Sequence, residues 1–447
     1  MQAKELSMQQ EATSAVERLL AGLAANAVWL KNSAMVSAGS VAASALGFVY
    51  WWLAARYFAP DAVGSASALI SFLGLVAVIG EIGLGTFLVG EAQAHHGRRS
   101  ERMAIAALVT SVAASLLCGG AILAVAHQFN QSKFLPSEPL FIALLLIGCG
   151  STAAALVLDQ ICVGFLSGHL NFLRNVFFSA SKLVLLGLFA LRPDALSSDM
   201  AIVATWVLAA LLSLSLPLAF GFARTAFSQR PDFEQLFRSR SRIFGHYVLN
   251  LVTFGPGFAL PIILVAILGP AVNAAFYPLW TILSVTLVLP ASLTIVLYTV
   301  VSGQRESLLP RLSMSLRLCF STGLVVALIF WLMSERMLSA FNPSYLSIAG
   351  GDLRLLGLGF LPIMLKDHYI ALSRLENKMM RASGFLAFGG IVEIAFAAIG
   401  AHAHGLFGFV SGWLLAGALQ SVFLSMPLFK VFCGVAARRP VACGSET

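Results

Sequence analysis

The sequence predicts an all-α, polytopic membrane protein of about twelve transmembrane helices in two six-helix lobes, and three observations carry that reading. Only 11% of the 447 residues are charged and 59% are hydrophobic, whereas soluble domains carry about 25% charged residues. Apolar runs recur along the whole chain, separated by short polar breaks. Each is close to the roughly 20 residues that cross about 30 Å of hydrocarbon as a helix. Basic residues gather in alternate loops, the asymmetry that orients helical membrane proteins. Transmembrane strands would instead show alternating segments of about ten residues.

Spans are predicted at 32–54, 65–90, 103–126, 139–164, 172–191, 199–222, 245–268, 273–301, 311–333, 351–373, 382–400 and 404–428. One side then carries the N-terminus, EAQAHHGRRSER, the 165–171 turn beside Arg174, the 223–244 segment, SGQRESLLPR, RLENKMMR and the tail with Arg438 and Arg439. That side holds about 21 of the 28 Lys and Arg, against Arg56, Lys133, Arg192, Arg336 and Arg354 on the other. The positive-inside rule predicts a bacterial inner-membrane protein with both termini in the cytoplasm. The longest cytoplasmic connection, 223–244, separates an N-terminal lobe at 32–222 from a C-terminal lobe at 245–428, followed by a tail at 429–447.

In the first 31 residues, Val16, Leu19, Leu20, Leu23 and Ala27 recur at helical spacing, as in an amphipathic helix lying on the membrane. Lys4, Glu5, Glu11, Glu17 and Arg18 interrupt any signal-peptide core. The two halves begin alike: AARYFAPDAVGSASALISFLGLV resembles VAILGPAVNAAFYPLWTILSVTL, each with a short outer turn at a proline, Pro60 or Pro270. Six spans per half make these parallel repeats, a known transporter plan. The outer loops are short, the longest being 334–350, so no large extramembrane domain is expected.

A formal charge of +8 spread over alternate loops forms no stripe for nucleic acid. The six cysteines are scattered without paired spacing. His402 and His404 share a short loop without a carboxylate, and read as solvated rather than metal-binding. GEIGLG follows no strand, and its glycines read as helix-packing positions. No metal site, cofactor or nucleophile–base set is expected, so the chain is not read as an enzyme.

Charges inside spans are costly and by default face a cavity or each other. By depth, Glu81, Lys182 and Glu393 fall near mid-bilayer, with Asp159, Lys366, Asp367 and His368 in the inner half and Arg174 beside them. One reading places all eight around a single cavity open to the cytoplasm. The other pairs Asp159 with Lys182 or Arg174, and Lys366 with Glu393, as ties between adjacent spans. Glu81 has no partner nearby in sequence, which suits proton coupling; Lys182 and Lys366 suit an anionic group. Gly255, Pro256, Gly257 and Pro261 interrupt span seven, Pro278 and Pro290 span eight, and Pro362 span ten. Such breaks free carbonyls that need protein or cavity water as partners.

AARYFAPDAVGSASAL leading to GEIGLGTFLV, LDQICVGFLSGHLNFLRNVFFSASKLVLL with Asp159, Arg174 and Lys182, and YPLWTILSVTLVLPASLTIVLYTV resemble bacterial polysaccharide flippases of the MOP superfamily. So does the stretch from FNPSY through LRLLGLGFLPIM to ALSRLENK. The resemblance implies a V-shaped bundle of two lobes, as in the MATE transporters, around a cationic cavity. It also implies transfer of a polyprenyl-diphosphate-linked oligosaccharide to the outer leaflet by alternating access. Membrane lipid and other polysaccharide-assembly proteins are the implied partners, and nucleic acid is not. The alternatives are a cation-coupled exporter of drugs or small amphiphiles, and a membrane-embedded polysaccharide polymerase or ligase.

Overall fold

The computed structural model describes residues 27–94, 98–128, 138–191, 196–220, 230–303, 308–376 and 378–432, and the structural statements below concern these. Residues 1–26 of the expected amphipathic segment, part of the 223–244 connection and the tail with Cys433 and Cys443 lie outside them.

The first lobe is built from α1 (Ala27–Tyr57), α2 (Pro60–Glu81), α3 (Leu84–Ala94), α4 (Arg98–Gln128), α5 (Pro139–Gly164), α6 (Gly168–Ala190) and α7 (Ser198–Phe220). The short α8 (Phe233–Arg238) leads into the second lobe: α9 (Arg240–Leu268), α10 (Pro270–Thr286), α11 (Val288–Gly303), α12 (Leu308–Phe341), α13 (Pro343–Ala349), α14 (Phe360–Leu375) and α15 (Met379–Phe432). Proline opens α2, α5, α10 and α13, where its missing N–H costs nothing and its fixed φ suits a helix.

Ten helices are long and apolar enough to cross a membrane. Span ten is the shorter α14, led in by a 3-10 turn at Leu356–Gly359. α15 is two spans, because helical backbone is lost at His404 (φ −140°) and Gly405 (φ 60°). The fold is thus a multi-pass bundle of twelve spans in two six-span lobes.

Four details correct the expected spans. Span two begins at Pro60 and runs to Ala94 with a break between α2 and α3. Span eight is broken at Leu287, between α10 and α11. The first part of the predicted span at 351–373 is turns and 3-10 helix. The predicted outer loop at 334–350 is helical: α12 has 34 residues, about 51 Å at 1.5 Å per residue, and overruns the hydrocarbon before α13 begins.

We call the face where α1 begins the terminal face and its opposite the far face. At the far face the lobes are locked together. The Asn273 amide on α10 donates to Gly64 O and Ser67 Oγ of α2, both at 2.9 Å. Here the two repeat-like segments meet, and a Cβ on Gly64 would overlap the Pro270 carbonyl. On the other flank Trp52 Nε1 (2.9 Å) and Arg56 (3.1 Å) of α1 donate to Ala340 O of α12, and Asn342 donates to Ala55 O (2.6 Å).

Toward the terminal face only one flank stays closed. The break in span two, with Ile82 (φ 52°) and Gly83 (φ 76°) in left-handed conformations, presses on α9. A Cβ on Gly83 would collide with the Tyr247 amide, so the close approach and the positive φ both require glycine there. Arg242 of α9 pairs with Glu91 of α3 at 3.2 Å. On the opposite flank α11 packs on α12 and α14 of its own lobe and makes no comparable contact with α1 or α6. The lobes therefore splay on the α1–α11 side.

Candidate functional site

Inside that splay lies a cavity of about 320 Å³ lined by both lobes. Ser44, Gly47 and Trp51 of α1, Asn175, Phe178, Ser179 and Lys182 of α6, and Trp206 of α7 come from the first. Tyr277, Thr281, Ser284 and Val285 of α10, with Val288 of α11, come from the second. Lys182 is the one lining side chain with a formal charge. It is 3% exposed, and among the described residues it has no ion-pair partner.

Aromatic rings take that place. Lys182 Nζ lies 4.3 Å from the ring centroid of Trp206, 4.9 Å from Phe178 and 5.1 Å from Tyr50. The cage is itself fixed: the Tyr50 hydroxyl is 2.7 Å from Thr205 Oγ1, and Trp51 packs edge-on against Tyr277 at 4.8 Å. A desolvated cation–π contact contributes about 2 kcal/mol, whereas desolvating an ion costs several. The rings hold the ammonium in place without neutralising it. Around the ammonium the lining offers the Ser44 and Ser179 hydroxyls and aromatic faces, while Thr281 and Ser284 donate to Tyr277 O and Trp280 O.

A second hollow of about 590 Å³ opens beside it, between α1, α10, the start of α11 and α12. Ser44, Thr281, Val285 and Val288 border both.

The remaining candidates do not share this cavity, and the expectation of one common cluster is corrected. Asp159 and Arg174 pair, with Arg174 Nε 2.7 Å from Asp159 Oδ1. Asn171 donates to the same oxygen at 2.9 Å, and Ser213 accepts from Arg174 Nη1 at 3.4 Å. Lys366 Nζ meets Glu393 Oε1 at 2.7 Å between α14 and α15, both residues buried. His368 is fully buried, with Nε2 2.8 Å from Ser315 Oγ and Nδ1 2.7 Å from Met364 O. It ties α14 to α12. Asp367, half-buried on α14, lies outside the lining.

Glu81 also differs from expectation. Because α2 starts at Pro60, it stands 22 residues in, about 33 Å from the far face rather than at mid-depth. Its Oε1 accepts from the Gly85 amide at 2.8 Å, a carboxylate on the N-terminus of α3 where the helix dipole favours negative charge. Its Oε2 accepts from Asn250 of α9 at 3.1 Å. Glu81 therefore joins the lobes at the closed flank.

Sequence reasoning missed the aromatic cage. Tyr50 and Trp51 lie close to the outer end of the predicted span at 32–54, where interfacial aromatics are ordinary, so nothing marked them.

No protein-family model and no curated protein matches this sequence. Solved structures do. An inward-closed lipid II flippase MurJ aligns at a TM-score of 0.68 and 13% identity, over 91% of this chain and 93% of its own. An inward-facing multidrug resistance MATE transporter of the MOP superfamily aligns at 0.67 and 16% identity, over 91% and 96%.

The chain has the fold that these two structures share.

A third structure with it comes from Pyrococcus furiosus, at 0.59 and 15% identity over 92% and 96%, and is described as having a binding pocket of reverse polarity that suggests a different function. In this chain the charged side chain among the lining residues is Lys182.

Proposed function

We propose that this chain flips a polyprenyl-diphosphate-linked oligosaccharide from the cytoplasmic to the outer leaflet by alternating access. The observation that carries the proposal is Lys182: a buried cation with no carboxylate partner among the described residues, facing a cavity that both lobes line. Sugar hydroxyls and a diphosphate cannot cross hydrocarbon unpaired, because each unsatisfied polar group costs several kcal/mol. Here the ammonium would meet the diphosphate. Asn175, Ser44, Ser179 and the faces of Trp51 and Tyr277 would meet sugar rings. The positive-inside rule favours a cytoplasmic terminal face; on this reading 1–31, 223–244 and 429–447 would lie on that side, with the lobes at 32–222 and 245–428. The splay then loads from the inside.

A cation exporter fits less well, since the lining holds no carboxylate to attract a cation. A polymerase or ligase would need a large outer loop, and 334–350 is instead folded as helix against α1.

The test is lipid analysis of cells lacking the protein, with any redundant homologue removed. Accumulation of a complete lipid-linked repeat with loss of surface polymer is expected. Rescue by the unaltered chain but not by Lys182→Ala ties the defect to the cavity. Unchanged intermediates and polymer would overturn the reading.

A further inference from the structure

The hollow beside the Lys182 cavity has opposite chemistry. Its wall is Val41, Ala45 and Phe48 of α1, Ile282 and Val285 of α10, and Met337, Ala340 and Phe341 of α12. Hydroxyl residues also border it, yet three are turned onto their own helices. Ser40 donates to Val36 O (3.1 Å), Thr281 to Tyr277 O (2.9 Å) and Thr286 to Leu283 O (2.6 Å), so they add little polarity. At about 590 Å³ it falls within the roughly 300–1,000 Å³ of small-molecule sites. It lies on the flank where the lobes splay, with Val41 65% exposed, so its open side faces the bilayer. Four residues border both hollows, so a molecule whose anionic group reaches Lys182 can lay its next segment here without crossing a polar wall. At its far end the Phe48 and Phe341 rings meet edge to face at 5.1 Å, beside the α12 turn that accepts from Trp52 and Arg56.

We propose that this groove seats the hydrocarbon chain of the same molecule whose head group Lys182 holds; the inference rests on the anionic-head reading above. The chain does not trail free in the bilayer during loading. Its first segment is held against α1 and α12, so head and tail are recognised together, and a lipid with the right charge but a very short chain binds weakly.

The test uses the purified full chain in lipid nanodiscs. Its probes are farnesyl phosphate, a long-chain polyprenyl phosphate and the corresponding polyprenol, the long-chain probes also as diazirine derivatives. Ala45→Trp and Val41→Trp fill the groove from exposed positions that leave the packed core untouched. Each is expected to weaken the long-chain phosphate about tenfold, toward the affinity of farnesyl phosphate. Lys182→Ala is expected to weaken both phosphates and leave the polyprenol unchanged. Photolabelling from the chain should fall on 41–48 of α1 and 337–341 of α12. Undiminished long-chain binding to both tryptophan variants, or labelling confined to the outward face of α12, overturns the groove while leaving the head-group reading intact. Equal labelling by a diazirine phospholipid that excess polyprenyl phosphate fails to displace also overturns it, because the hollow then holds ordinary bilayer lipid. Groove labelling with phosphate binding indifferent to Lys182 removes the head-group reading instead.

Discussion

Lys182 and Lys366 are the same residue type, one in each lobe, both buried within a span. Lys366 lies 2.7 Å from Glu393, and its charge is answered inside the protein. Lys182 has Trp206, Phe178 and Tyr50 around it and a cavity in front of it. A buried charge with a partner is a fastener. One with no ion-pair partner among the described residues, fixed by rings that cannot neutralise it, is what the proposed binding site rests on. The difference lies in what stands opposite the ammonium, which neither depth nor residue type reveals.

The largest separation of the two should come from binding. Truncating a buried charge that faces an opposite charge costs roughly 2–5 kcal/mol, so Lys182→Ala should weaken binding of a polyprenyl diphosphate by about 30-fold or more. Lys366→Ala, assayed where it remains folded, should bind as the unaltered chain does. Equilibrium titration of both variants in nanodiscs checks this.

Stability should run the other way. Lys366→Met leaves the Glu393 carboxylate buried and unanswered, a loss of about 3–5 kcal/mol. Adding Glu393→Leu should restore most of it, since an apolar pair can replace a buried ion pair. Thermal melting in detergent reads both, and Lys182→Met should melt no lower than the parent. If the double variant melts as low as Lys366→Met alone, the pair is not the structural tie described above.

A smaller effect sharpens the contrast within the second lobe. Ser315→Ala removes the hydroxyl that meets His368 Nε2. It should cost about 1–3 kcal/mol without changing diphosphate affinity. A change in affinity at constant melting temperature would place His368 in the binding machinery after all.

The architecture was legible because it rests on quantities carried by every segment: run length, charge density and the alternation of basic loops. Boundaries failed where the helix is longer than the hydrocarbon. Apolar content marks what lies in lipid, and Ser334–Phe341 continues helical beyond it. The alternative of Asp159–Arg174 and Lys366–Glu393 ties was open from sequence because adjacent antiparallel spans bring such residues close, and the structure adopts it. The cavity wall was not legible. Tyr50, Trp206 and Tyr277 come from three non-consecutive spans, and no local spacing encodes their meeting. Glu81 misled for another reason: its partners are a backbone amide four residues on and Asn250 in the other lobe, and neither shows as a charge.

At the far face every bond described between the lobes ends on a main-chain carbonyl or a hydroxyl: Ala340 O, Ala55 O, Gly64 O and Ser67 Oγ. None of these acceptors is an acidic or basic side chain. A clasp of this kind is electrically quiet. Parting the lobes there breaks bonds indifferent to proton concentration and only weakly sensitive to ionic strength. It also follows that residues 52, 56, 273 and 342, which donate through their side chains, cannot change identity without loosening it.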